Sequence, residues 1–195
     1  MPENSLEGVI KLFERFRFTL KISKPRISKL GDYRAPQGRY GHRISVNSDL
    51  NPYNFLITFV HEIAHLSVRE KYGGKVLPHG AEWKDEYRMH LMPFVSDTIF
   101  PHKVIKPLIT HLNKPPASSC ADAELLRVLN EYDEESDYVY LEELPVNSTF
   151  ILKGGRTFIK GEKIRKRYKC FELPSKAVYT LSPVSEVMPI GLAFK

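Results

Sequence analysis

Residues His61-Glu62-Ile63-Ala64-His65 set two imidazoles four positions apart, with a carboxylate beside the first. On a helix this spacing puts His61 and His65 one turn apart on one face, where both reach a single ion. Glu62 lies about 100° round from His61 and reaches a water held by that ion rather than the ion itself. Zinc suits such ligands, because it holds neutral imidazoles at about 2.0–2.1 Å and keeps a fourth position open in catalytic sites. It also lowers the pKa of a water there towards roughly 7, and a neighbouring carboxylate takes the proton as the oxygen attacks a carbonyl. Two histidines leave the ligand set incomplete. His79, fourteen residues after His65 in Leu77-Pro78-His79-Gly80, stands at the mouth of a loop with enough chain to turn back. Glu82 and Glu86 are the alternatives.

The element that must position these groups is a helix beginning at Asn51-Pro52, a good N-cap followed by a residue whose missing N–H costs nothing at the first helical position. Phe55, Leu56, Ile57, Phe59, Val60, Ile63, Ala64 and Leu66 crowd every face, so the helix is expected in a core, and Gly73-Gly74 stops it. An H-E-x-x-H pattern also arises by chance in amphipathic helices. In a wholly apolar helix, however, three unpartnered polar groups would cost about 1–3 kcal/mol each, and a metal removes that cost.

Around the helix, Ser5 to Arg15 has helical spacing, Phe16 to Ile22 alternates as a strand, a second short strand and a turn are expected from Pro25-Arg26-Ile27-Ser28 through Gly31-Asp32-Tyr33, and a third strand from Tyr40 to Val46. That order implies a small antiparallel sheet, with Arg43 to Val46 as the edge able to pair with an extended substrate backbone. Ala81 to Phe94 reads as a helix with Trp83 in the core and His90 as a bystander. Val104 to Leu112 and Ala121 to Tyr132 read as shorter helices. From Ser148 the pattern becomes β: a hairpin around Gly154-Gly155, then Ile164 to Leu173 paired with Ala177 to Leu181.

The sequence HEIAHL followed by PHGAEWK resembles the SprT family of zinc metallopeptidases, which is related to the Spartan protease domain acting on proteins crosslinked to DNA. The resemblance covers roughly Ser5 to Phe100 and extends to Asn51-Pro52-Tyr53 and to Arg43–Asn47. It implies a zincin-like α+β domain, with His61, His65 and His79 as ligands of one zinc ion and Glu62 as general base. Many members end in a zinc ribbon with paired C-x-x-C motifs, whereas this chain has only Cys120 and Cys170. The C-terminal β module is therefore expected without a second metal, packed by Tyr168, Phe171, Tyr179 and Val187.

The expected organisation is a metallopeptidase domain over residues 1–115, a helical and acidic connector over 116–147, and an antiparallel β module over 148–195, with Pro115-Pro116-Ala117-Ser118-Ser119 as the boundary. The net charge of +6 is unevenly spread. Lys11 to Arg43 holds ten basic and two acidic residues, Asp122 to Glu143 nine acidic and one basic, and Lys153 to Lys169 eight basic and one acidic. The last block makes DNA a candidate partner through Lys153, Arg156, Lys160, Arg165, Lys166, Arg167 and Lys169. The N-terminus lacks the basic-then-apolar order of a secretory leader, and two distant cysteines make no disulfide framework, so a cytoplasmic location with reduced thiols is expected. Two functions compete: a zinc-dependent peptidase, and a zinc-stabilised module that binds nucleic acid or protein without catalysis. An intact Glu62 favours the first.

Overall fold

The computed structural model describes residues 1–26, 29–113, 115–116, 122–133 and 137–191. Among them are five α-helices and two β-sheets, and the chain divides into two compact units, residues 1–133 and 134–195.

The first unit is built around α2 (Pro52–Tyr72). The Asn51 side chain accepts hydrogen bonds from the N–H groups of Tyr53 and Asn54, and Pro52 occupies the first turn. At the other end Gly73, at φ 70°, donates its N–H to the Arg69 carbonyl. Leu56, Ile57, Phe59, Val60, Ile63, Ala64 and Leu66 are all completely buried. Each large one contributes about 1.5–3 kcal/mol, so packing rather than helix propensity holds α2 in place. It is enclosed by α1 (Leu6–Arg15), α3 (Ala81–Leu91), α4 (His102–Asn113) and α5 (Ala123–Asn130), which share one core with it. Leu125 and Leu129 of α5 belong to that core, and Asn51 Nδ2 donates to the Leu129 carbonyl at 2.9 Å. The helix expected in a connector is thus a wall of the first unit. Of the boundary expected at 115–119, residues 117–119 lie outside the described residues, as do Cys120 and Ile27-Ser28 of the expected second strand.

The sheet of this unit has the order β1-β3-β2, from β1 (Phe18–Ser23), β2 (Gly31–Arg34) and β3 (His42–Asn47). Two sequence expectations are corrected here. β1 pairs parallel to β3 while β2 pairs antiparallel to it, so the sheet is mixed. Arg43 to Val46 lies in β3, which is hydrogen-bonded on both sides and is the centre of the sheet, not an edge. Its apolar residues explain the placement: Ile44 and Val46 are buried, and a strand with such a core face is covered by neighbours. Alternation sends Phe18, Leu20, Tyr33, Ile44 and Val46 into the core and leaves Thr19, Lys21, Asp32, Arg34, Arg43 and Ser45 on the opposite face.

The second unit is a six-stranded antiparallel sheet. Its strands are β4 (Val139–Tyr140), β5 (Thr149–Leu152), β6 (Thr157–Ile164), β7 (Arg167–Leu173), β8 (Val178–Leu181) and β9 (Glu186–Ile190), in the order β4-β9-β5-β6-β7-β8. Leu141, Leu144, Phe150, Phe158, Cys170 and Val187 make its core. Of the four residues expected to pack this module, Val187 is buried and Tyr168 packs against the core, whereas Tyr179 is 38% exposed. Among the described residues no helix is long and apolar enough to cross a membrane.

Candidate metal centre

α2 presents His61 and His65 side by side, ring centroids 5.1 Å apart. His79 comes from the turn between α2 and α3, where the Gly80 N–H bonds back to the Leu77 carbonyl at 3.0 Å. His79 has φ 58°, a left-handed conformation that costs a non-glycine residue about 1 kcal/mol or more and is maintained where surroundings demand it. That turn brings its ring within 5.3 Å of His61 and 4.6 Å of His65, centroid to centroid. One ring nitrogen from each histidine lies within 4.8 Å of the others, so the three form a group able to hold a metal ion.

The donor set fits an ion well. Nε2 of His61 and Nε2 of His79 face each other across 3.3 Å. Two ligands of a tetrahedral ion with bonds of about 2.0–2.1 Å stand roughly 3.3–3.4 Å apart, the same separation. All three imidazoles are biased towards the neutral form that binds metal. Burial pushes His61 well below the ordinary histidine value, helped by repulsion from His65, His79 and His111. Burial and then His79 lower His65 to about 4, and burial lowers His79.

Glu62 is 7% exposed and sits against β2. Burial, reinforced by the Asp32 carboxylate, raises its pKa to about 8, while the Tyr33 N–H donates to it and favours the charged form. Gly31 is required here: a β-carbon at that position would lie 2.5 Å from Glu62 Oε1. A cation at the histidines would favour the ionised carboxylate.

Trp83 of α3 floors the site, its ring 4.6, 5.3 and 4.7 Å from those of His61, His65 and His79. Tyr87 stacks beneath it at 4.9 Å and its hydroxyl meets His111 Nε2 at 3.4 Å; His111 Nδ1 in turn meets Asp122 at 3.0 Å. The Asp122–His111–Tyr87 chain ties α5, α4 and α3 together behind His61. Glu86, an alternative third ligand, is otherwise engaged: Ser67 donates to it at 2.5 Å and Lys71 bridges it at 2.5 Å. His90, buried one turn after Glu86 on α3 and 3.5 Å from it, sets its ring against Phe16 at 5.4 Å and is not part of the histidine group. Glu82, the other alternative, is not part of the group.

Tyr33 is the residue that sequence reading missed. Its backbone orients Glu62, its ring stacks on His65 at 6.4 Å with planes 9° apart, and its hydroxyl meets His42 Nδ1 at 2.8 Å. Burial first, with Glu70 adding and Arg69 opposing, raises its pKa to about 12. No local pattern marks it, because only the fold of β2 over α2 carries it there.

The cations expected to meet DNA are dispersed by the structure. Lys160 is corrected: it is 2% exposed, with Nζ donating to the Leu144 carbonyl at 2.5 Å and lying 4.0 Å from the Tyr168 ring centre. It shares the core face of β6 with Phe158, two residues away, and that alternation was the available signal. Lys153 pairs with Glu186, Arg156 with Glu172 at 2.5 Å, and Arg167 donates to the Thr180 carbonyl at 3.3 Å. Lys169 lies over the Phe171 ring at 5.1 Å. Arg165 and Lys166 occupy the exposed β6–β7 turn. No protein-family model, curated protein or solved structure matches this chain.

Proposed function

We propose that the first unit is a zinc-dependent metallopeptidase, in keeping with the resemblance of HEIAHL and PHGAEWK to the SprT family. The observation that carries the reading is the convergence of His61, His65 and His79 with Glu62 held alongside by β2. Zinc bound there would supply Lewis acidity, polarising the scissile carbonyl and acidifying a water.

The chain's own residues do the rest. His61 and His65 offer ligand atoms from a helix locked by packing, and His79 closes the set from its strained turn. Glu62 takes the proton of the attacking water at a carboxylate oxygen and passes it to the leaving amine. Tyr33 N–H holds that carboxylate in place. The extended substrate backbone runs beside β2, the outer strand of the sheet next to Glu62 and His65, rather than beside the central β3. DNA contact, and with it a DNA-bound substrate, rests on Arg165, Lys166, Arg167 and Lys169.

The test is metal analysis and peptide hydrolysis by wild type and Glu62→Gln. One zinc per chain in both, with cleavage reduced about 10²–10⁴-fold in the variant, is expected for loss of a general base. Cleavage at the wild-type rate by the variant would remove Glu62 from the mechanism. Metal content without hydrolysis by wild type, on free or DNA-bound proteins, would establish the binding-module alternative instead.

A further inference from the structure

The three-stranded sheet turns one face towards α2 and the histidines; its opposite face lines a half-open pocket of about 360 Å³. Four cations line it, Lys21 from β1, Arg26, Arg34 from β2 and Arg43 from β3, against a single carboxylate, Asp32. That carboxylate is already matched by Lys29 at 2.7 Å and Arg34 at 2.9 Å. Among the described residues, three hydroxyls, of Thr19, Ser23 and Ser45, join this lining.

The cations differ in what holds them. Arg26 is fixed by Asn47 Oδ1 at 2.7 Å, Ser45 Oγ at 3.0 Å and the Leu30 carbonyl at 3.4 Å, so it is part of the wall. The guanidinium of Arg43 rests over the Tyr40 ring at 4.9 Å, and its Nε is buried with no hydrogen-bond partner among the described residues. A buried donor on a permanently charged group is costly to leave unpaired, and an anion beside this guanidinium would offset part of that cost. Register places Lys21 opposite Ser45 and Arg43 opposite both Thr19 and Arg34, so two guanidinium groups adjoin and each of Lys21 and Arg43 has a hydroxyl beside it.

We propose that this face binds a phosphate ester. The sign of the charge excludes a metal cation. A lone carboxylate would neutralise one of about three uncompensated positive charges, whereas phosphate carries up to two negative charges and oxygens suited to guanidinium forks and hydroxyls. The cavity is at the small end of ligand pockets, which run about 300–1,000 Å³, and exceeds a bare phosphate. Among the described lining residues the charged and hydroxyl groups offer the polar contacts, and the aliphatic stems of Lys21, Arg34 and Arg43 leave room for an attached group. The same group occurs in a small phosphorylated metabolite and in a nucleic-acid backbone. This site is separate from the histidine group and does not depend on the peptidase reading.

The experiment is calorimetric titration of the full zinc-loaded chain with inorganic phosphate, adenosine 5′-monophosphate, adenosine and a short single-stranded oligonucleotide. It compares wild type with a Lys21→Gln/Arg43→Gln double variant. Phosphate and the monophosphate should bind wild type and adenosine should not, with affinity at least about tenfold weaker in the double variant and zinc content and melting unchanged. An oligonucleotide binding more than about tenfold tighter than the monophosphate, with a log–log salt slope near −0.7 per phosphate contacted, identifies a nucleic-acid backbone; comparable affinities identify a small metabolite. If Arg43→Gln disturbs the fold, Lys21→Glu alone, on an exposed position of β1, must still weaken phosphate binding. Equal phosphate affinity in wild type and variants overturns the proposal, since phosphate held by the metal would survive these substitutions. So does the absence of phosphate binding to wild type below about 10 mM.

Discussion

The buried Lys160 of the second unit and the histidine group of the first meet their surroundings in opposite ways. In the second, the Lys160 ammonium is surrounded by its own fold: the Leu144 carbonyl accepts at 2.5 Å, the Glu142 carbonyl at 3.3 Å, and Tyr168 covers it. In the first, His61, His65 and His79 turn their ring nitrogens towards one another, and the nearby Trp83 Nε1 has no hydrogen-bond partner among the described residues. A buried polar group satisfied from within is a fastener. Three imidazoles that converge share only the one close contact between His61 and His79, and so leave ring nitrogens for something from outside.

The largest expected effect tests that contrast in the first unit. His65→Ala should abolish stoichiometric metal binding and with it the stabilisation the ion gives, about 4 kcal/mol at a free concentration a thousandfold above Kd. Hydrogen exchange should show the loss across α2 and α3 and spare β5 to β7. A variant that kept its metal, read by elemental analysis, would remove His65 from the ligand set. Lys160→Met should cost about 1–3 kcal/mol, because two carbonyls lose a buried donor while volume is nearly kept. Loss of protection confined to the second unit, with metal content unchanged, is the expected outcome; an unaltered melting curve would show the ammonium to be no fastener.

The pH dependence of the metal-free protein is a finer probe. His65, lowered to about 4, stays neutral in the fold while the unfolded chain takes up a proton below about 6.5. Its contribution to stability is therefore present above pH 6.5 and lost as pH falls towards 4. Glu62, raised to about 8, acts in the other direction, removing stability as pH rises from about 4.5 to 8. Metal-free Glu62→Gln should thus melt higher than metal-free wild type at pH 8, and the gap should close near pH 4.5. With metal bound the carboxylate is favoured and the advantage should vanish. The smallest effect is expected at the β6–β7 turn, where Arg165→Glu/Lys166→Glu should change stability by no more than about 0.5 kcal/mol. The readout that matters there is DNA affinity in low salt: a marked loss supports contact through this turn, and no change removes it.

What could be read from the residues alone was local. The Asn51 cap, the Gly73 stop and the one-turn spacing of His61 and His65 depend only on helix geometry over neighbouring positions, and the structure shows each as expected. The hairpin around Gly154-Gly155 was legible for the same reason, since turn chemistry and alternation act over a few residues. Tertiary structure decided whatever depends on pairing between distant segments. It made β3 central and parallel to β1, because strand order is set by which faces can be covered and not by the strand's own sequence. It laid Tyr33 over His65, assigned α5 to the first core, and buried Lys160 where its charge alone suggested a surface. A side chain's chemistry is written in its type, but its partners come from contacts across dozens of residues, and those exist only once the chain has folded.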